Sequence, residues 1–384
     1  MAEPRTPLPP PSTLPKPNLT SRFLGLLLLI FVPVVLAAIL FQPPDFDPAP
    51  LPGDHYFGDS IAVPERHDHV LEASERIGEG LLPGPEDLAY DAEKGYLYTG
   101  CSDGWIRRVG LKDAELKVED WAFIGGRPLG LAMAPGGSLV VADSYKGVLL
   151  VKPDQTVELM TNEAEGLNFR LTDGIDVASD GLIYFTDASY KYNLEMTMLD
   201  ILEGRPHGRL MSFNPSTNQT VVLAHDLYFA NGVAVSPDQH SIIFCETPLR
   251  RCKRYHIEGD KNGTTENFIE NLPGYPDNIR YSGEGHYWIA LSSGRTISWD
   301  ILFKFPFIRK MAAILAKFFS PFYLSQDSGM LSVTLEGQPL TIYSDRHLIL
   351  VTGGLKIGKN LYYGSLHESY ISKIDLTQYR SNAM

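Results

Sequence analysis

The chain has 384 residues, of which 46 are acidic and 33 basic, so its formal net charge is −13. This balance argues against nucleic-acid binding, because such a surface needs basic side chains to replace the counterions of phosphate. Three cysteines are too few for a disulfide scaffold, and 34 glycines, 28 prolines and 11% aromatic residues suit short strands joined by tight turns better than long helices.

The N-terminus has the features of a targeting region. Residues 1–22 contain seven prolines and no apolar periodicity, which predicts a disordered tail. Residues 23–41 carry no charge, and nineteen helical residues can cross a bilayer core. Basic residues precede this stretch and acidic residues follow it, which predicts a transmembrane signal-anchor with a cytosolic tail and residues 42–384 in a lumen. A cleaved signal peptide ending near residues 37–38 is the alternative.

Two further features agree with a luminal address in the endomembrane system, either the endoplasmic reticulum or the vacuole, with the plasma membrane as another option. Asn218 and Asn262 each begin an Asn-x-Thr glycosylation signal in turn-like surroundings. Cys245 and Cys252 flank a segment typical of a hairpin turn, and an oxidising lumen would allow a cross-strand disulfide. Two buried thiols are the alternative, since cysteine also behaves as a small hydrophobic residue.

From residue 80 onward one unit recurs six times. In each copy a short apolar strand begins after a glycine or acidic turn, and an aromatic-rich strand follows. The copies begin at Glu86, Leu129, Asp173, Asn231, Asp277 and Gly353. Three or four strands per copy predict an all-β fold, a monomeric six-bladed β-propeller over residues 80–384, with residues 42–79 as a linker and first strand region. One blade cannot bury both of its faces, so the set must close into a ring.

Two insertions interrupt this rhythm, near residues 190–207 and 295–324, and both have helical character. The second is apolar with lysine and arginine spread through it. That composition suits a helix on a membrane surface, a cover over a substrate mouth, or an ordinary helical cap on the propeller face.

The repeat register predicts a metal site. The innermost strands of a propeller line its central channel, so the residues at which they start converge on the axis. Five of these residues bear side-chain oxygens: Glu86, Asp173, Asn231, Asp277 and Asn278. Calcium prefers six to eight oxygen ligands that mix carboxylates with amide carbonyls. Each residue alone would be an ordinary turn residue; their common register across the repeats is what indicates a calcium site.

The sequence also resembles a known family. Five segments carry the resemblance: Val140–Val148, Ala164–Gly166, Tyr184–Ser189, Phe229–Val233 and Leu272–Arg280. They closely resemble the strictosidine synthase-like family, whose relatives include the adipocyte plasma membrane-associated proteins with their N-terminal anchor. The resemblance spans about residues 80–375. It implies a six-bladed calcium propeller similar to esterases and lactonases, with calcium ligands at the five axial positions named above.

The chain departs from these relatives at two places. Strictosidine synthases use a glutamate shortly before the last blade's Leu-Tyr-x-Gly strand to move a proton in amine–aldehyde condensation, and here Thr352 falls at or beside that place. A threonine hydroxyl does not titrate near neutral pH, so it cannot replace that glutamate. The similar paraoxonase-type esterases carry a basic histidine in the second blade, where this chain has Arg127.

The leading hypothesis is therefore a calcium-dependent, arylesterase-like hydrolase of a small ester or lactone. Asp277 would be a calcium ligand that also acts as nucleophile or base, by analogy with phosphotriesterase propellers, and Asp173 is the second candidate. One alternative is a non-catalytic propeller with structural calcium, whose face binds a partner or lipid. Another, disfavoured by Thr352, is a synthase that condenses an amine with an aldehyde.

Overall fold

A computed structural model describes residues 19–40, 45–52, 59–112, 116–315 and 326–379. The chain divides into two compact units, residues 1–46 and residues 47–384. Most of the predicted disordered tail lies outside the described residues.

The described part of the first unit is dominated by one helix, α1 (Leu19–Leu40), which contains most of the predicted anchor at residues 23–41. Its apolar side chains are exposed, Phe23 by 68% and Leu29 by 73%. Over the ranges that the structure describes, no helix reaches the length and hydropathy that a membrane span requires. The structure thus gives the predicted transmembrane anchor no support.

The described strands of the second unit are numbered in chain order. The first fourteen are β1 (Glu65–Asp68), β2 (Glu75–Ile77), β3 (Leu88–Asp91), β4 (Tyr96–Gly100), β5 (Trp105–Gly110), β6 (Val118–Phe123), β7 (Pro128–Met133), β8 (Leu139–Asp143), β9 (Gly147–Val151), β10 (Val157–Thr161), β11 (Glu163–Ala164), β12 (Leu167–Asn168), β13 (Thr172–Val177) and β14 (Ile183–Asp187). The others are β15 (Gly208–Asn214), β16 (Gln219–Leu227), β17 (Ala230–Val235), β18 (Ser241–Glu246), β19 (Arg251–His256), β20 (Thr265–Ile269), β21 (Gly274–Tyr281), β22 (His286–Gly294), β23 (Ser328–Thr334), β24 (Pro339–Asp345), β25 (Val351–Ile357), β26 (Asn360–Ser365) and β27 (Ile371–Asp375).

These strands form the six blades predicted from the repeats. Blades 1 to 4 are antiparallel sheets of four consecutive strands, β3–β6, β7–β10, β13–β16 and β17–β20. Blade 5 contains β21–β24 and adds β1, which runs parallel to β24. Blade 6 contains β25–β27 and β2, and β11 and β12 form a separate small hairpin. The fold is a six-bladed β-propeller.

The N-terminal strand β2 closes the ring. It pairs antiparallel with β27, placing Glu75 opposite Lys373 and Ile77 opposite Ile371. The Lys373 ammonium and Glu75 carboxylate lie 2.7 Å apart across this pair. The sequence assigned residues 42–79 to a linker and first strand region, whereas the structure places β2 in the last blade. A three-residue strand has no apolar alternation from which its partner could be predicted.

The hydrophobic core lies at the seams between blades. Between blades 4 and 5, Ile243 packs in one buried cluster with Ile279 and Ile289. Between blades 6 and 1, Ile371 packs with Leu97. Equivalent clusters fill the other four seams. Each blade therefore buries its two faces against its neighbours, which is why the sheets are stable only as a ring.

Both insertions lie at the end of the propeller where the inner strands start. Each second strand returns to that end, so its connection to the third strand lies there too. The first insertion, between β14 and β15, contains α2 (Thr197–Glu203). The second, between β22 and β23, contains α3 (Ile297–Lys304) and α4 (Pro306–Leu315); residues 316–325 lie outside the described residues. We call this end the top face.

A buried arginine joins the two insertions. The Arg309 guanidinium in α4 donates to the carbonyl oxygens of Leu202 (3.2 Å) and Glu203 (3.1 Å) at the C-terminal end of α2. Helix α2 ends there because Gly204 adopts a left-handed conformation with φ 61°. A cation at this end also complements the helix dipole. The top-face insertions are thus fixed to each other by a charged contact.

Candidate functional site

The inner strands bring the five predicted ligand residues together at the propeller axis. Glu86 lies just before β3 in blade 1, Asp173 in β13, Asn231 in β17, and Asp277 with Asn278 in β21. All five are buried, with exposures between 2% and 7%. The Asn278 amide nitrogen donates to the Glu86 carboxylate over 2.8 Å, which joins blades 5 and 1 across the axis. Their role as metal ligands stays a prediction.

Glycines beside these residues allow the inner strands to approach closely. A Cβ on Gly174 would lie 2.6 Å from the carbonyl oxygen of Asn231, and one on Gly232 would lie 2.4 Å from the Cα of Asn278. No Cβ atom tolerates such distances against backbone. Gly130 stands in the same relation to Asp173, with 2.4 Å to its carbonyl oxygen. The repeated glycine therefore sets how far the axial ring can contract.

Buried threonines hold the same ring from the second and neighbouring strands. Thr186 donates its hydroxyl to the Asn231 carbonyl oxygen over 2.7 Å. Thr352 donates to the Glu86 carbonyl oxygen over 2.8 Å. The hydroxyl of Thr352, at the place where a strictosidine synthase has its glutamate, is thus engaged in holding an axial residue. This holding role of the two threonines could not be predicted from the sequence, because a single buried hydroxyl carries no distinctive pattern.

The axial carboxylates destabilise one another. Burial raises the pKa of Glu86 well above its ordinary value, and the charges of Asp277, Asp87 and Asp173 raise it further. Burial and then the charge of Asp173 raise the pKa of Asp277. Burial, followed by the charges of Asp87 and Asp187, raises the pKa of Asp173 to about 7. A bound cation would act in the opposite direction and lower these pKa values.

The donor set fits calcium. Among the described residues, the Glu86 Oε2 and Asn231 Oδ1 atoms are buried and have no hydrogen-bond partner. Both are oxygen acceptors, and unpaired buried acceptors are unfavourable unless a donor or cation meets them. Three carboxylates and two amide side chains supply oxygen ligands without nitrogen or sulfur, as calcium prefers. With all three ionised, a divalent cation would leave the cluster with one net negative charge.

One other group of side chains has metal-ligand character. In the described ranges, a trio of His, Cys, Asp or Glu side chains with ligand atoms within 4.8 Å of one another occurs once, at Glu72, Asp345 and His347. Asp345 there accepts the backbone N–H groups of Glu72 (3.2 Å) and His347 (2.9 Å), which accounts for the cluster as a loop contact. The axial carboxylates are spaced more widely than this trio.

A second charged layer lies next to the axial site. The Arg280 guanidinium forms an ion pair with Asp87 and lies 3.7 Å from the carboxylate of Asp176. Asp87 also accepts the N–H of Leu131 over 3.0 Å, and Asp176 accepts the N–H of Val235 over 2.8 Å. This layer links inner strands of blades 1, 2, 3, 4 and 5. Because the Arg280 guanidinium already pairs with Asp87 and lies near Asp176, it does not neutralise the charge of the axial carboxylates.

A further set of buried carboxylates belongs to the fold. Asp143, Asp187 and Glu246 end the second strands of blades 2, 3 and 4. Asp143 accepts the N–H groups of Tyr145 and Lys146, each over 3.0 Å. Asp187 pairs with Arg209 over 2.6 Å, and Glu246 with Arg251 over 2.6 Å. Their repeated position reflects a turn that each blade needs rather than a catalytic set.

A serine, an aspartate and a histidine in the first insertion have the composition of a catalytic triad but not its geometry. The Asp200 carboxylate accepts from Ser189 Oγ (2.7 Å) and contacts His207 Nδ1 (2.9 Å). Nucleophilic catalysis needs the histidine between serine and aspartate, whereas here the aspartate lies between the other two. Ser189 is fully buried and accepts the N–H of Tyr192 over 2.9 Å. The group fixes the insertion to blade 3.

The remaining predicted positions lie away from the axis or play other roles. Cys245 and Cys252 lie opposite each other on β18 and β19 and are joined by a disulfide. Asn218 and Asn262 are exposed in turns, and their glycosylation stays a prediction. The Arg127 side chain is buried and donates to the carbonyl oxygen of residue 84 over 2.9 Å, so it holds a loop near Glu86.

Two family models match the chain. The model described as strictosidine synthase matches residues 173–260, and the model described as strictosidine synthase-like, N-terminal, matches residues 69–109. Strictosidine synthase-like protein 6 of Arabidopsis thaliana is 49% identical over 366 residues, covering 94% of this chain and 97% of that protein. The adipocyte plasma membrane-associated protein of Homo sapiens is 34% identical over 310 residues, covering 75% and 73%.

Solved structures share the architecture. A gluconolactonase from Xanthomonas campestris superposes with a TM-score of 0.57 at 15% identity, covering 86% of this chain and 98% of that one. A calcium-binding protein, regucalcin, from Agrobacterium tumefaciens superposes with a TM-score of 0.57 at 13% identity, covering 82% and 95%. At such identities the likeness shows the fold alone.

Proposed function

The chain belongs to the strictosidine synthase-like family, and we propose that it is a calcium-dependent hydrolase of esters or lactones. The observation that carries the proposal is the buried axial cluster, in which three carboxylates and two amides converge and two acceptor oxygens, Glu86 Oε2 and Asn231 Oδ1, have no partner within the described residues. The names of the fold neighbours, a gluconolactonase and a calcium-binding protein, support the same reading.

The residues of the chain divide the work as follows. Glu86, Asp173, Asn231 and Asn278 would hold the ion together with Asp277. When bound, calcium would polarise the substrate carbonyl and stabilise the oxyanion that forms from it. Asp277 is oriented by a hydrogen bond from the Asn231 side chain, and it is the candidate base.

The hydrolysis balances without any further reactant. The oxygen of water forms a bond to the carbonyl carbon while Asp277 accepts the proton of that water. The carbon–oxygen bond of the ester or lactone then breaks, and the leaving alkoxide takes the proton from Asp277. The products are a carboxylic acid and an alcohol, or one hydroxy acid from a lactone.

The test is hydrolysis of 4-nitrophenyl acetate by the full-length chain, with calcium and after chelation. Asp277→Asn keeps the shape of the side chain and removes the base, so kcat should fall by about 10²-fold or more. Glu284→Gln is the matched control, because Glu284 lies between β21 and β22 at the opposite end of the propeller from the axial site. Its kcat should stay that of the unmodified chain.

The thermal midpoint of each variant decides how a loss of rate is interpreted. Turnover that requires calcium and disappears in a folded Asp277→Asn variant supports the hydrolase. Turnover that is equal in the variant and the unmodified chain refutes the role of Asp277. No turnover at all, combined with a lower midpoint after chelation, refutes the hydrolase and leaves a structural ion.

A second candidate function has its own supporting observation. The α3–α4 insertion exposes apolar side chains on the top face, among them Ile297 (78%) and Phe307 (47%). A non-catalytic propeller with structural calcium would use this face for a partner or lipid. Absence of turnover together with calcium-dependent binding to lipid vesicles would favour it. Amine–aldehyde condensation is disfavoured, because Thr352 offers no titratable group and donates its hydroxyl to the Glu86 carbonyl.

We also propose a luminal propeller in the endomembrane system, held by a signal-anchor at residues 23–41. The disulfide between Cys245 and Cys252 supports an oxidising compartment, and the exposed Asn218 and Asn262 are accessible for glycosylation. Endoglycosidase treatment of the chain made in eukaryotic cells tests this address. We expect the enzyme to increase the electrophoretic mobility of the chain, and this shift should disappear only when both asparagines are changed to glutamine. A chain that carries no glycan and is exposed to the cytosol refutes the luminal address.

A further inference from the structure

An apolar cavity of about 70 Å³ lies on the top face, between the two insertions and the strand ends of blades 4, 5 and 6. Met198 and Ile201 of α2 line one side, and Trp299 and Phe303 of α3 line another. Tyr275, which is also in the lining, precedes the axial residue Asp277 by two positions. The cavity therefore lies beside the start of the strand that carries Asp277.

Aromatic packing defines the cavity wall. The rings of Trp299 and Phe303 stack with their centroids 5.4 Å apart and an interplanar angle of 19°. Tyr275 meets both rings edge-on or tilted, at 5.7 Å and 5.8 Å. Helix α3 begins at a cap in which Thr296 accepts the N–H of Trp299 over 3.3 Å. These contacts hold the cavity wall in place before any ligand binds. A preorganised apolar wall favours ligand binding, because fewer side chains have to be ordered.

The hydroxyl groups in the lining are already engaged by the protein. Thr247 donates to the Pro276 carbonyl over 2.7 Å, Ser292 to the Tyr275 carbonyl over 3.2 Å, and Ser293 to backbone carbonyls over 3.2 Å. Within the described residues the indole Nε1–H of Trp299 is buried without an acceptor, so it is closed off from the cavity. The cavity surface is thus almost entirely apolar.

We propose that this cavity binds the aliphatic acyl part of an ester or lactone substrate while the reacting carbonyl lies at the axial site. The inference deepens the hydrolase proposal and rests on it for the reaction, although not for binding. A polyhydroxylated sugar lactone is a poor fit, because its hydroxyl groups would lose their hydrogen bonds to water against this lining.

The first experiment compares substrates. In the presence of calcium, kcat/KM of the full-length chain for 4-nitrophenyl hexanoate should exceed that for the acetate by at least about tenfold, since each buried methylene contributes roughly a fourfold preference. δ-Decalactone should likewise be preferred over glucono-1,5-lactone. Met198→Trp, which fills the cavity, should reduce the hexanoate preference below about threefold.

Two variants and one binding measurement keep the inference separate from catalysis. Met196→Trp is the matched control and should keep the preference for hexanoate. Met196 directly precedes α2 and is 48% exposed. Isothermal titration with 2-octanone, which carries a carbonyl and an apolar chain but cannot be hydrolysed, measures binding directly. Met198→Trp should weaken that binding by about tenfold.

The outcomes distinguish the two proposals. Binding of 2-octanone that is lost in Met198→Trp, without hydrolysis of any ester, supports the cavity and refutes the hydrolase. Equal kcat/KM for acetate and hexanoate, with no binding of 2-octanone, overturns the cavity and leaves the hydrolase intact.

Discussion

Replacing Asp173 with asparagine should stabilise the calcium-free chain by more than it stabilises the calcium-bound chain. Asp173 is buried at the axis, and burial with the charges of Asp87 and Asp187 raises its pKa from 3.8 to about 7. In the calcium-free chain its ionised form therefore opposes folding. The amide of Asp173→Asn has nearly the same shape without the charge, so it removes that opposition. With calcium bound, the same substitution removes a negatively charged ligand.

The magnitude follows from the proton-binding equilibrium. A group whose pKa is higher in the folded than in the unfolded chain loses stability as pH rises between the two values. For Asp173 this effect is absent below about pH 4 and complete above about pH 7, where it amounts to about 4 kcal/mol. Because the buried amide also loses hydration, we expect Asp173→Asn to raise the free energy of unfolding by about 2 to 4 kcal/mol at pH 8 in chelator.

The assay is urea unfolding of the full-length chain at pH 5 and pH 8, in chelator and in 1 mM calcium (about the level of a luminal site). In calcium this gain should shrink, since each tenfold loss of calcium affinity removes about 1.4 kcal/mol of ligand stabilisation. Glu246→Gln is the matched control. Glu246 is a buried carboxylate of the fold that pairs with Arg251, so its loss should destabilise the chain in both buffers by about 1 to 3 kcal/mol.

One result would refute this reasoning. If Asp173→Asn lowers stability in chelator at pH 8 as Glu246→Gln does, the axial carboxylates do not repel one another in the free chain. The cluster would then be held by internal hydrogen bonds, and the case for a cation at the axis would fail. A stabilisation in chelator that is absent at pH 5 would support the cluster as an incomplete, cation-seeking site.

Three other substitutions test the ring, its second charged layer and the disulfide. Gly232→Ala should lower the free energy of unfolding by about 2 kcal/mol or more, because its Cβ would lie 2.4 Å from Asn278 Cα; an unchanged urea midpoint would contradict the close approach. Arg280→Leu should destabilise by about 3 kcal/mol or more, measured in the same way, because the buried Asp87 and the half-buried Asp176 lose their cation. Cys252→Ser should remove about 2.5 kcal/mol, given the seven-residue separation from Cys245, and should abolish the effect of reductant on the thermal midpoint.

The fold could be predicted from the sequence wherever a repeat carried its own local signal. Inner strands such as β17 combine a polar start, a glycine and an apolar run, and these features depend only on neighbouring residues. Strand β2 could not be assigned in this way, because Glu-Arg-Ile has no pattern of its own and its pairing with β27 spans about 300 residues. Ring closure is a long-range property, so it appears only when all blades are assembled.

The site shows the same division. The five axial residues could be proposed from register alone, since each begins an inner strand. The ion pair of Arg280 with Asp87 could not, because adjacent positions such as Glu86 and Asp87 face different layers of the channel, and the local sequence does not state which. The absence of an acceptor for the Trp299 N–H among the described residues could not be predicted either, because it depends on how α3 packs against blade 5.

The geometry also limits what calcium removal can prove. Glu86 and Asn278 join blades 1 and 5 across the axis, and they are also two of the proposed ligands. An ion bound there would act on ring closure and on any bound carbonyl through the same atoms. Loss of activity on chelation is therefore expected whether the ion is structural or catalytic. Asp277→Asn separates the two cases only if the variant keeps its calcium affinity and thermal midpoint, because activity lost from a folded, calcium-loaded ring can then be assigned to the carboxylate itself.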